Sequence, residues 1–248
     1  MNPRIDGRAP DEIRAVSFQR NFTRYAEGSV LASFGETRVL CTATVDEKVP
    51  PFLRGTGRGW VTAEYAMLPR STQTRVLRST SRGGQDGRST EIQRLVGRSL
   101  RACVDMEALG ERTIIIDCDV LQADGGTRTA AVSGGFVALV DGLRSLRDKS
   151  VFRTLPLKFL LSAISAGKIG GHGFLDLCYE EDSTAEVDMN FVMNHRGEYI
   201  EIQGTGEGGV FSAGDLSELL VLAGKGTLEV IEKQKEALDL DGSELSFS

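Results

Sequence analysis

Histidine and cysteine are scarce in this chain of 248 residues, and the scarcity limits the chemistry to be expected of it. Only two histidines occur, His172 and His195, and neither has neighbours at metal-ligand spacing. A zinc site and a serine–histidine–aspartate mechanism are therefore disfavoured. The four cysteines are scattered and show no CxxC spacing, which predicts reduced thiols and a cytoplasmic location. They are Cys41, Cys103, Cys118 and Cys178.

Long hydrophobic runs are also missing. No apolar segment approaches the roughly 18 residues needed to span a bilayer. The polar start MNPRIDGRAP does not have the pattern of a signal peptide. Hydrophobic residues make up 40% and charged residues 26% of the chain, as in an ordinary soluble globular protein. We therefore expect one or two domains with a substantial core and no membrane partner.

A candidate anion site lies where a predicted strand, Thr113 to Val120, leads into a predicted helix that starts near Thr127. Gly125 and Gly126 allow a positive φ and a close approach of the main chain to a ligand. The helix start presents free N–H groups and the positive end of the helix dipole. Thr127 and Arg128 add donors suited to phosphate oxygens. The alternative is an ordinary strand–turn–helix connection whose glycines only make the turn.

An acidic segment, Asp176 to Asn190, is the second candidate. Asp188 lies within VDMNFV, and its apolar neighbours predict that one face of the strand is buried. A carboxylate in that setting needs a cation, a metal or a raised pKa. Together with Asp182 it would suit Mg²⁺-assisted phosphoryl chemistry opposite an anion site. The alternative is a solvated acidic turn between two strands.

An arginine-rich segment runs from Leu68 to Gly87, although the net charge of the whole chain is −6. Its cations are all arginine and alternate with Ser, Thr and Gln, a composition that favours contact with a polynucleotide backbone. They are Arg70, Arg75, Arg78 and Arg82, and Arg88 follows directly. The alternative is a solvated surface loop.

The order of predicted elements indicates an α+β fold in which two strand-rich blocks each end in helices. The blocks cover about residues 10–150 and 155–238, and this suggests a single domain with an internal duplication. The acidic tail, 239–248, is predicted to be frayed. Predicted helices run from Arg88 or Ser89 to Gly110, from near Thr127 to about Leu146, and from about Asp215 to Leu238.

A GxGxxG pattern at Gly204–Gly209 follows a predicted strand. A dinucleotide site would need a helix and then a parallel strand after it, and only one helix remains before the chain ends. A dinucleotide-dependent enzyme is therefore disfavoured, and binding of NAD would test for it.

The sequence as a whole resembles the bacterial ribonuclease PH family of phosphate-dependent exoribonucleases, which trim tRNA 3′ ends. The resemblance rests on eight blocks in the family's order, and they extend from about Gly7 to Gln234. The blocks are GRAPDEIR, RNFTRYAEGSVL, FGETRVLCTATV, GWVTAEYAMLPRST, GRSTEIQRLVGRSLRA, DCDVLQADGGTRTAAVSG, EDSTAEVDMN and FSAGDLSELLVLAGKG.

The resemblance implies two βαβα-type repeats like those of the ribosomal protein S5 domain 2-like fold, and a ring-shaped homohexamer built as a trimer of dimers. It implies that phosphate, a co-substrate, is bound by Arg88, Gly126, Thr127 and Arg128. It also implies acid or metal roles for Asp182 and Asp188, with Mg²⁺ as the metal. The RNA-binding residues would be Arg70, Arg75, Arg78 and Arg82.

The expected activity is phosphorolysis of tRNA precursors and other RNA 3′ ends, including rRNA, with release of nucleoside diphosphates and the reverse nucleotidyl transfer. The alternative within the same resemblance is a catalytically silent, RNA-binding ring subunit of an exosome-like assembly. Two departures from the family pattern, GTGEGGVFS and Asp86, concern loop shape and RNA affinity rather than the expected catalytic positions.

Overall fold

Two β-sheets with helices packed against them make up the fold. A computed structural model describes residues 4–78, 87–240 and 244–245. The first sheet has the strand order β1-β2-β3-β5-β4. Its strands are β1 (Val16–Arg20), β2 (Gly28–Phe34), β3 (Thr37–Asp46), β4 (Trp60–Met67) and β5 (Thr113–Gln122). A 3-10 turn, Pro51–Leu53, precedes β4.

All neighbouring strands of this sheet are antiparallel except β4 and β5, which are parallel. Parallel neighbours need a crossover connection, because a tight turn can join only antiparallel strands. Here the crossover contains α1 (Gly87–Cys103) and α2 (Met106–Leu109). Because β4 and β5 run in the same direction, the start of α1 lies at the same end of the sheet as the end of β5.

The second sheet is entirely antiparallel, with the order β7-β6-β8-β9. Its strands are β6 (Leu161–Ile169), β7 (His172–Leu175), β8 (Val187–Asn194) and β9 (Tyr199–Gly206). A one-turn helix, α4 (Tyr179–Asp182), lies between β7 and β8, and the long helix α5 (Ala213–Leu238) follows β9. The α+β fold with two similar blocks, as in the S5 domain 2-like fold, is confirmed.

Helix α3 (Thr127–Asp148) lies at the centre of the molecule and is buried along most of its length. A Cβ atom added at Gly134 would lie 2.6 Å from Cβ of Ala32 and 2.8 Å from Sγ of Cys41, so only glycine fits against the first sheet. On the other side, Oγ of Ser133 accepts from the backbone N–H of Ala163 at 3.0 Å, in the second sheet. The small residues of α3 thus allow close packing on both sides, and α3 holds the two blocks together.

The predicted single helix from Arg88 or Ser89 to Gly110 is wrong in its second half. α1 ends at Cys103, and a separate turn, α2, begins at Met106. The carboxylate of Asp105 accepts from the backbone N–H groups of Glu107 and Ala108, at 3.0 and 3.1 Å. This N-cap favours a new helix start over continuation, because aspartate competes for backbone donors.

The sequence of Gly173 to Tyr179 predicts one strand over the whole stretch, but the observed strand is shorter. β7 ends at Leu175, and Asp176 then takes a left-handed conformation with φ 53° before α4 begins. The one-turn helix α4 was not predicted. Four residues are too few to show a helical period in a sequence.

The frayed tail, 239–248, stays a prediction, since only residues 239, 240, 244 and 245 of it are described; among these, Glu244 and Leu245 contact the rest of the fold. Glu244 is 9% exposed and pairs with Arg144 and Arg147 of α3. Leu245 forms a β-bridge with Leu155. Within the described ranges, none of the helices is apolar over the length that a bilayer crossing requires.

Candidate active site

Six of the predicted site residues meet in one cleft, although they come from four separate stretches of the chain. The cleft lies between the start of α1, the start of α3 and the second sheet. It is lined by Arg88, Gly126, Thr127, Arg128, Ser165, Leu177, Asp182, Asp188 and Asn190. The four predicted phosphate-binding residues therefore face the two predicted carboxylates.

The N-terminus of α3 forms the wall of the cleft that contains the candidate anion site. Gly125 and Gly126 have φ values of 72° and 63°, the left-handed region that favours glycine. Gly126 is the N-cap residue and has no side chain with which to accept from the first amides of α3. These amides and the helix dipole make the helix start suitable for an anion.

Thr127 is fixed at this helix start by a neighbour from the first sheet. Its Oγ1 lies 2.8 Å from the hydroxyl of Tyr65, and both residues are buried. Because a buried tyrosine hydroxyl needs a hydrogen-bond partner, the pair fixes the Thr127 side chain in one rotamer. Thr127 is thereby held in the wall of the cleft.

Two guanidinium groups flank the helix start. Nη1 of Arg128 donates to Oε1 of Gln203 at 3.1 Å and lies 3.8 Å from a carboxylate oxygen of Glu91. Arg88, the second residue of α1, is exposed at the mouth of the cleft. Cations at helix starts oppose the helix dipole, so this arrangement is favourable only when an anion lies between them.

The carboxylates lie on the opposite wall. Asp182 is the last residue of α4, and Asp188 is the second residue of β8. Burial, helped by the nearby charge of Asp182, raises the pKa of Asp188 to about 6, against the smaller opposing effect of Arg128. Nδ2 of Asn190, two positions along the same strand face, lies 3.4 Å from Oδ2 of Asp188. Asp188 can therefore hold or release a proton close to neutral pH.

Asp182 feels the cations across the cleft directly. Burial raises the pKa of its carboxyl group, whereas the charges of Arg88 and Arg128 act in the opposite direction. The two guanidinium groups therefore lie within electrostatic range of this carboxyl group. An anion held between them would lie close to both carboxyl groups.

The carboxyl pair has the chemistry of a magnesium site. Mg²⁺ is bound in proteins through one or two carboxylates, while water and substrate phosphates complete its octahedron. Asp182 and Asp188 provide two such carboxylates, facing a site for phosphate. In residues 4–78, 87–240 and 244–245, there is no group of three or more His, Cys, Asp or Glu placed to hold a metal alone. The pair thus fits an ion that is shared with substrate.

Comparison with known proteins places the chain in a family. Residues 12–143 match the 3′ exoribonuclease family, domain 1, and residues 160–226 match its domain 2. The chain belongs to the 3′ exoribonuclease family. The resemblance noted in the sequence is thereby confirmed at the level of the family, and the two matched domains correspond to the two sheet-containing blocks.

Solved structures with the same fold include subunits of exosomes. Rice (Oryza sativa) Rrp46 has 20% sequence identity with this chain and a TM-score of 0.74, over 95% of this chain and 98% of that chain. The Archaeoglobus fulgidus exosome with RNA bound to the active site has 24% identity and a TM-score of 0.81, over 94% and 92%. An archaeal exosome core has 23% identity and a TM-score of 0.74, over 94% of this chain and 92% of that chain. At these identities the likeness concerns the fold.

The described residues of the arginine-rich segment, 68–78 and 87, do not line the cleft. Arg70, Arg75 and Arg78 are exposed, and Arg82 lies outside the described residues. The described part is folded back, since the backbone N–H of Val76 donates to Pro69 O at 2.8 Å. Val76 and its neighbour Leu77 line a second cavity, of about 420 Å³, whose wall Arg88 shares with the cleft. Val76, Leu77 and Arg88 thus line the same cavity.

Several residues of this exoribonuclease-family cleft were missed from the sequence. Tyr65 and Gln203 position Thr127 and Arg128, while Ser165 and Asn190 line the floor. Asn190 had a usable signal, because it lies two positions after Asp188 and strand residues two apart share a face. Tyr65, Gln203 and Ser165 had none, since their contacts join residues 25 to 75 positions apart.

Proposed function

We propose that this family member is a phosphate-dependent 3′-to-5′ exoribonuclease. It would trim the 3′ ends of tRNA precursors and other RNAs and release nucleoside diphosphates, and the same site would catalyse the reverse nucleotidyl transfer. The observation that supports this most strongly is the cleft in which Arg88 and Arg128, beside the start of α3, face Asp182 and Asp188. That arrangement can hold inorganic phosphate and the terminal phosphate of the RNA close together, as the attack of one on the other requires.

In the proposed reaction, inorganic phosphate is held by Arg88, Arg128, the Thr127 hydroxyl and the first amides of α3. One of its oxygens attacks the terminal phosphorus in line, and the bond to the 3′ oxygen of the preceding nucleotide breaks. The paired guanidinium groups neutralise the charge of two phosphates brought together, which is the main obstacle to the reaction. The product is a nucleoside diphosphate, and the shortened RNA keeps a 3′ hydroxyl.

The departing 3′ oxygen needs a proton, and Asp188 is suited to donate it because its pKa is raised to about 6. Burial raises that pKa, and the nearby charge of Asp182 adds to the effect. In the other form of the proposal, Asp182 and Asp188 would hold Mg²⁺, which would supply charge neutralisation at the phosphate oxygens. The acid role and the metal role are alternatives for Asp188, because a carboxylate that binds a metal carries no proton to donate.

The proposal extends to the assembly and the RNA. The exposed arginines Arg70, Arg75 and Arg78 would hold the RNA backbone outside the cleft, together with Arg82. A homohexamer, a trimer of dimers, would repeat this segment around a ring. All four cysteines are buried free thiols, which suits a cytoplasmic protein.

The test is to incubate a tRNA precursor with the protein, with and without inorganic phosphate, and to identify the released nucleotide. We expect nucleoside diphosphates, and only when phosphate is present. Release of nucleoside monophosphates in phosphate-free buffer would show hydrolysis and contradict the proposal. The control is the Arg128→Gln variant, which should bind RNA but lose phosphate-dependent release.

The second candidate is an RNA-binding ring subunit without catalytic activity. What favours it is the likeness of the fold to rice Rrp46 and to archaeal exosome structures. The presence of Asp182 and Asp188 opposite the arginines weighs against it. RNA binding without nucleotide release in either buffer, with Mg²⁺ supplied, would favour this candidate over the enzyme.

A further inference from the structure

The N-terminal arm, residues 4 to 15, packs beside the cleft and contains two buried arginines, Arg4 and Arg14, that the proposed reaction does not use. Arg14 is 5% exposed and Asp176, its partner, is fully buried. Nη2 and Nε of Arg14 donate to the two carboxylate oxygens of Asp176, at 2.6 and 3.0 Å. The backbone N–H of Arg14 donates to the same carboxylate at 2.8 Å. Such a complete set of partners defines a single geometry for the buried pair.

The remaining donor of Arg14 reaches the other wall of the cleft. Nη1 donates to the backbone carbonyl of Asp124, in the turn that leads to α3, at 2.5 Å. A Cβ atom added at Gly126 would lie 2.9 Å from Nη2 of Arg14, so the guanidinium packs against the N-cap residue itself. One side chain therefore contacts both the anion-binding turn and the segment that leads to Asp182.

The two segments that Arg14 joins also touch each other directly. A Cβ atom added at Gly125 would lie 2.6 Å from the carbonyl oxygen of Leu177, and the backbone N–H of Tyr179 donates to Oδ1 of Asp124 at 3.2 Å. Asp176 has φ 53°, in the left-handed region that aspartate adopts more readily than most residues other than glycine. Both segments are thus packed backbone against backbone beside the Arg14 guanidinium.

A second arginine of the arm supports the same segment from behind. Nε and Nη2 of Arg4 donate to both carboxylate oxygens of Glu181, each at 2.7 Å, and Nη2 also donates to the carbonyl of Asp176 at 3.1 Å. Glu181 is the residue before Asp182, and it accepts from the backbone N–H of Cys178 at 3.1 Å. The turn that presents Asp182 is thus fixed at both ends by the arm.

We infer that Arg14 is a positioning residue that sets the distance between the phosphate-binding helix start and the Asp182 carboxylate. It touches neither substrate nor the reacting atoms in the proposed reaction, and it acts through Asp124, Gly126 and Asp176. This inference rests on the proposed function. If it is correct, weakening the Arg14 contacts should affect the use of phosphate more than the binding of RNA.

The chain contains a closely matched control for this inference. Arg20 uses Nε and Nη2 on the carboxylate of Asp141 and Nη1 on the carbonyl of Ala237, the same three-pronged pattern. Asp141 lies fourteen residues along α3 from Thr127, or about 21 Å at the helical rise. Arg20→Lys should therefore weaken a similar ion pair without disturbing the cleft.

The experiment compares Arg14→Lys with Arg20→Lys in the full chain, using phosphate-dependent release of nucleoside diphosphates from a short RNA. Lysine keeps the charge but cannot hold Asp176 and Asp124 together. We expect kcat/KM for phosphate to fall about 10- to 100-fold in Arg14→Lys, as for a misplacement of about 1 Å, and less than about threefold in Arg20→Lys. The KM for RNA should be unchanged in both variants.

Phosphate binding is also measured without catalysis, by thermal unfolding of the same variants. Inorganic phosphate should raise the melting temperature of the wild-type protein and of Arg20→Lys, and this rise should be smaller in Arg14→Lys. If Arg14→Lys does not fold, the neutral pair Arg14→Gln with Asp176→Asn replaces it, because it leaves no unpaired buried charge. Its control is Arg20→Gln with Asp141→Asn.

The outcomes separate this inference from the proposed function. Equal losses in the Arg14 and Arg20 variants, with an active wild-type protein, would overturn the positioning role. A loss confined to RNA binding would also overturn it. A wild-type protein that releases no nucleoside diphosphate and gains no stability from phosphate would instead refute the proposed function.

Discussion

Asp188 is the residue on which the proposed chemistry most directly depends. Asp188→Asn keeps the shape of the side chain and removes its charge and its proton. We expect turnover to fall by about 100-fold or more, because an acid at the departing oxygen or a metal ligand is lost. RNA binding, measured by fluorescence anisotropy, should be unchanged. Near-normal turnover would assign the acid or metal role to another residue, with Asp182 the next to be replaced.

The same substitution should make the protein more stable at neutral pH. Burial and the charge of Asp182 raise the pKa of Asp188 from 3.8 to about 6 in the folded state. Between about pH 4 and pH 6 the folded state holds a proton that the unfolded chain has lost, so stability falls as the pH rises through this window. Above about pH 6, the charged Asp188 carboxylate lowers the free energy of unfolding by about 3 kcal/mol, which follows from a pKa raised from 3.8 to about 6.

We therefore expect the free energy of unfolding at pH 7.5 to be up to about 3 kcal/mol higher in Asp188→Asn than in the wild-type protein. The measurement is the urea midpoint at several pH values, with the slope of the transition checked for constancy. At pH 3.5 the two proteins should be equally stable. A difference that does not change with pH would mean that the carboxyl group is not the cause.

At the scale of elements, the contact between the turn before α3 and the segment before α4 determines the site. In Gly125→Ala the new Cβ would lie 2.6 Å from Leu177 O and 2.7 Å from the carbonyl carbon of Cys178, so the two backbones must separate. We expect stability to fall by about 2 to 4 kcal/mol and phosphate-dependent activity to be lost.

The control for this substitution is Gly170→Ala, in the turn between β6 and β7. Gly170 also has a positive φ, 57°, but an added Cβ would have no neighbour within 4 Å. Gly170→Ala should lower the free energy of unfolding only by the strain of a left-handed alanine, about 1 to 2 kcal/mol, and should leave activity unchanged. The difference between the two urea midpoints measures the close approach alone. Equal costs would show that the segments can separate freely.

The arginine-rich segment is an element with a different role from the cleft, and salt dependence distinguishes them. Replacing Arg70 and Arg75 with alanine should weaken tRNA binding and reduce the slope of log K against log salt by about one to two units. Trimming of a short unstructured RNA should change little, because its 3′ end needs only the cleft. Equal losses on tRNA and on a dinucleotide-length substrate would place the segment in the catalytic site.

At the scale of the whole molecule, Glu244 is held in the fold by two arginines of α3. Burial acts to raise the pKa of Glu244, but hydrogen bonds and charges of Arg144 and Arg147 outweigh it, so the pKa is lowered. Its contribution to stability is then fully present above about pH 4.5, the unfolded value, and is lost as the pH falls through the lowered folded value.

We expect Glu244→Gln to destabilise the protein by about 1 to 3 kcal/mol at pH 7, because two arginines lose their partner. At pH 3 the difference should be much smaller. The matched control is Glu236→Gln, whose exposed pair with Lys233 should contribute less than about 0.5 kcal/mol. Urea midpoints at the two pH values provide the measurement. If the Glu244 ion pairs contribute nothing to stability, Glu244→Gln and the wild-type protein will have the same urea midpoints.

Much of this molecule could be predicted from local sequence pattern. The β2–β3 hairpin, the strand β5, the central helix α3 and the long helix α5 all follow from periodicity and turn residues, because each is decided by neighbours within a few positions. The motif GGTR predicts a candidate anion site for the same reason: glycines, a helix start and a guanidinium are adjacent in the chain. The half-buried state of Asp188 followed from its apolar neighbours in VDMNFV.

Only the tertiary structure decided how these pieces meet. Arg88, Thr127 and Asp188 lie far apart in the chain, and the parallel crossover with the central helix brings them into one cleft. The raised pKa of Asp188 depends on its burial in the folded chain, and the carboxylates that pair with Arg14 and Arg144 lie 162 and 100 positions away from them. Sequence patterns report local geometry, whereas burial and charge are properties of the whole packed chain, so these features appear only once it is folded.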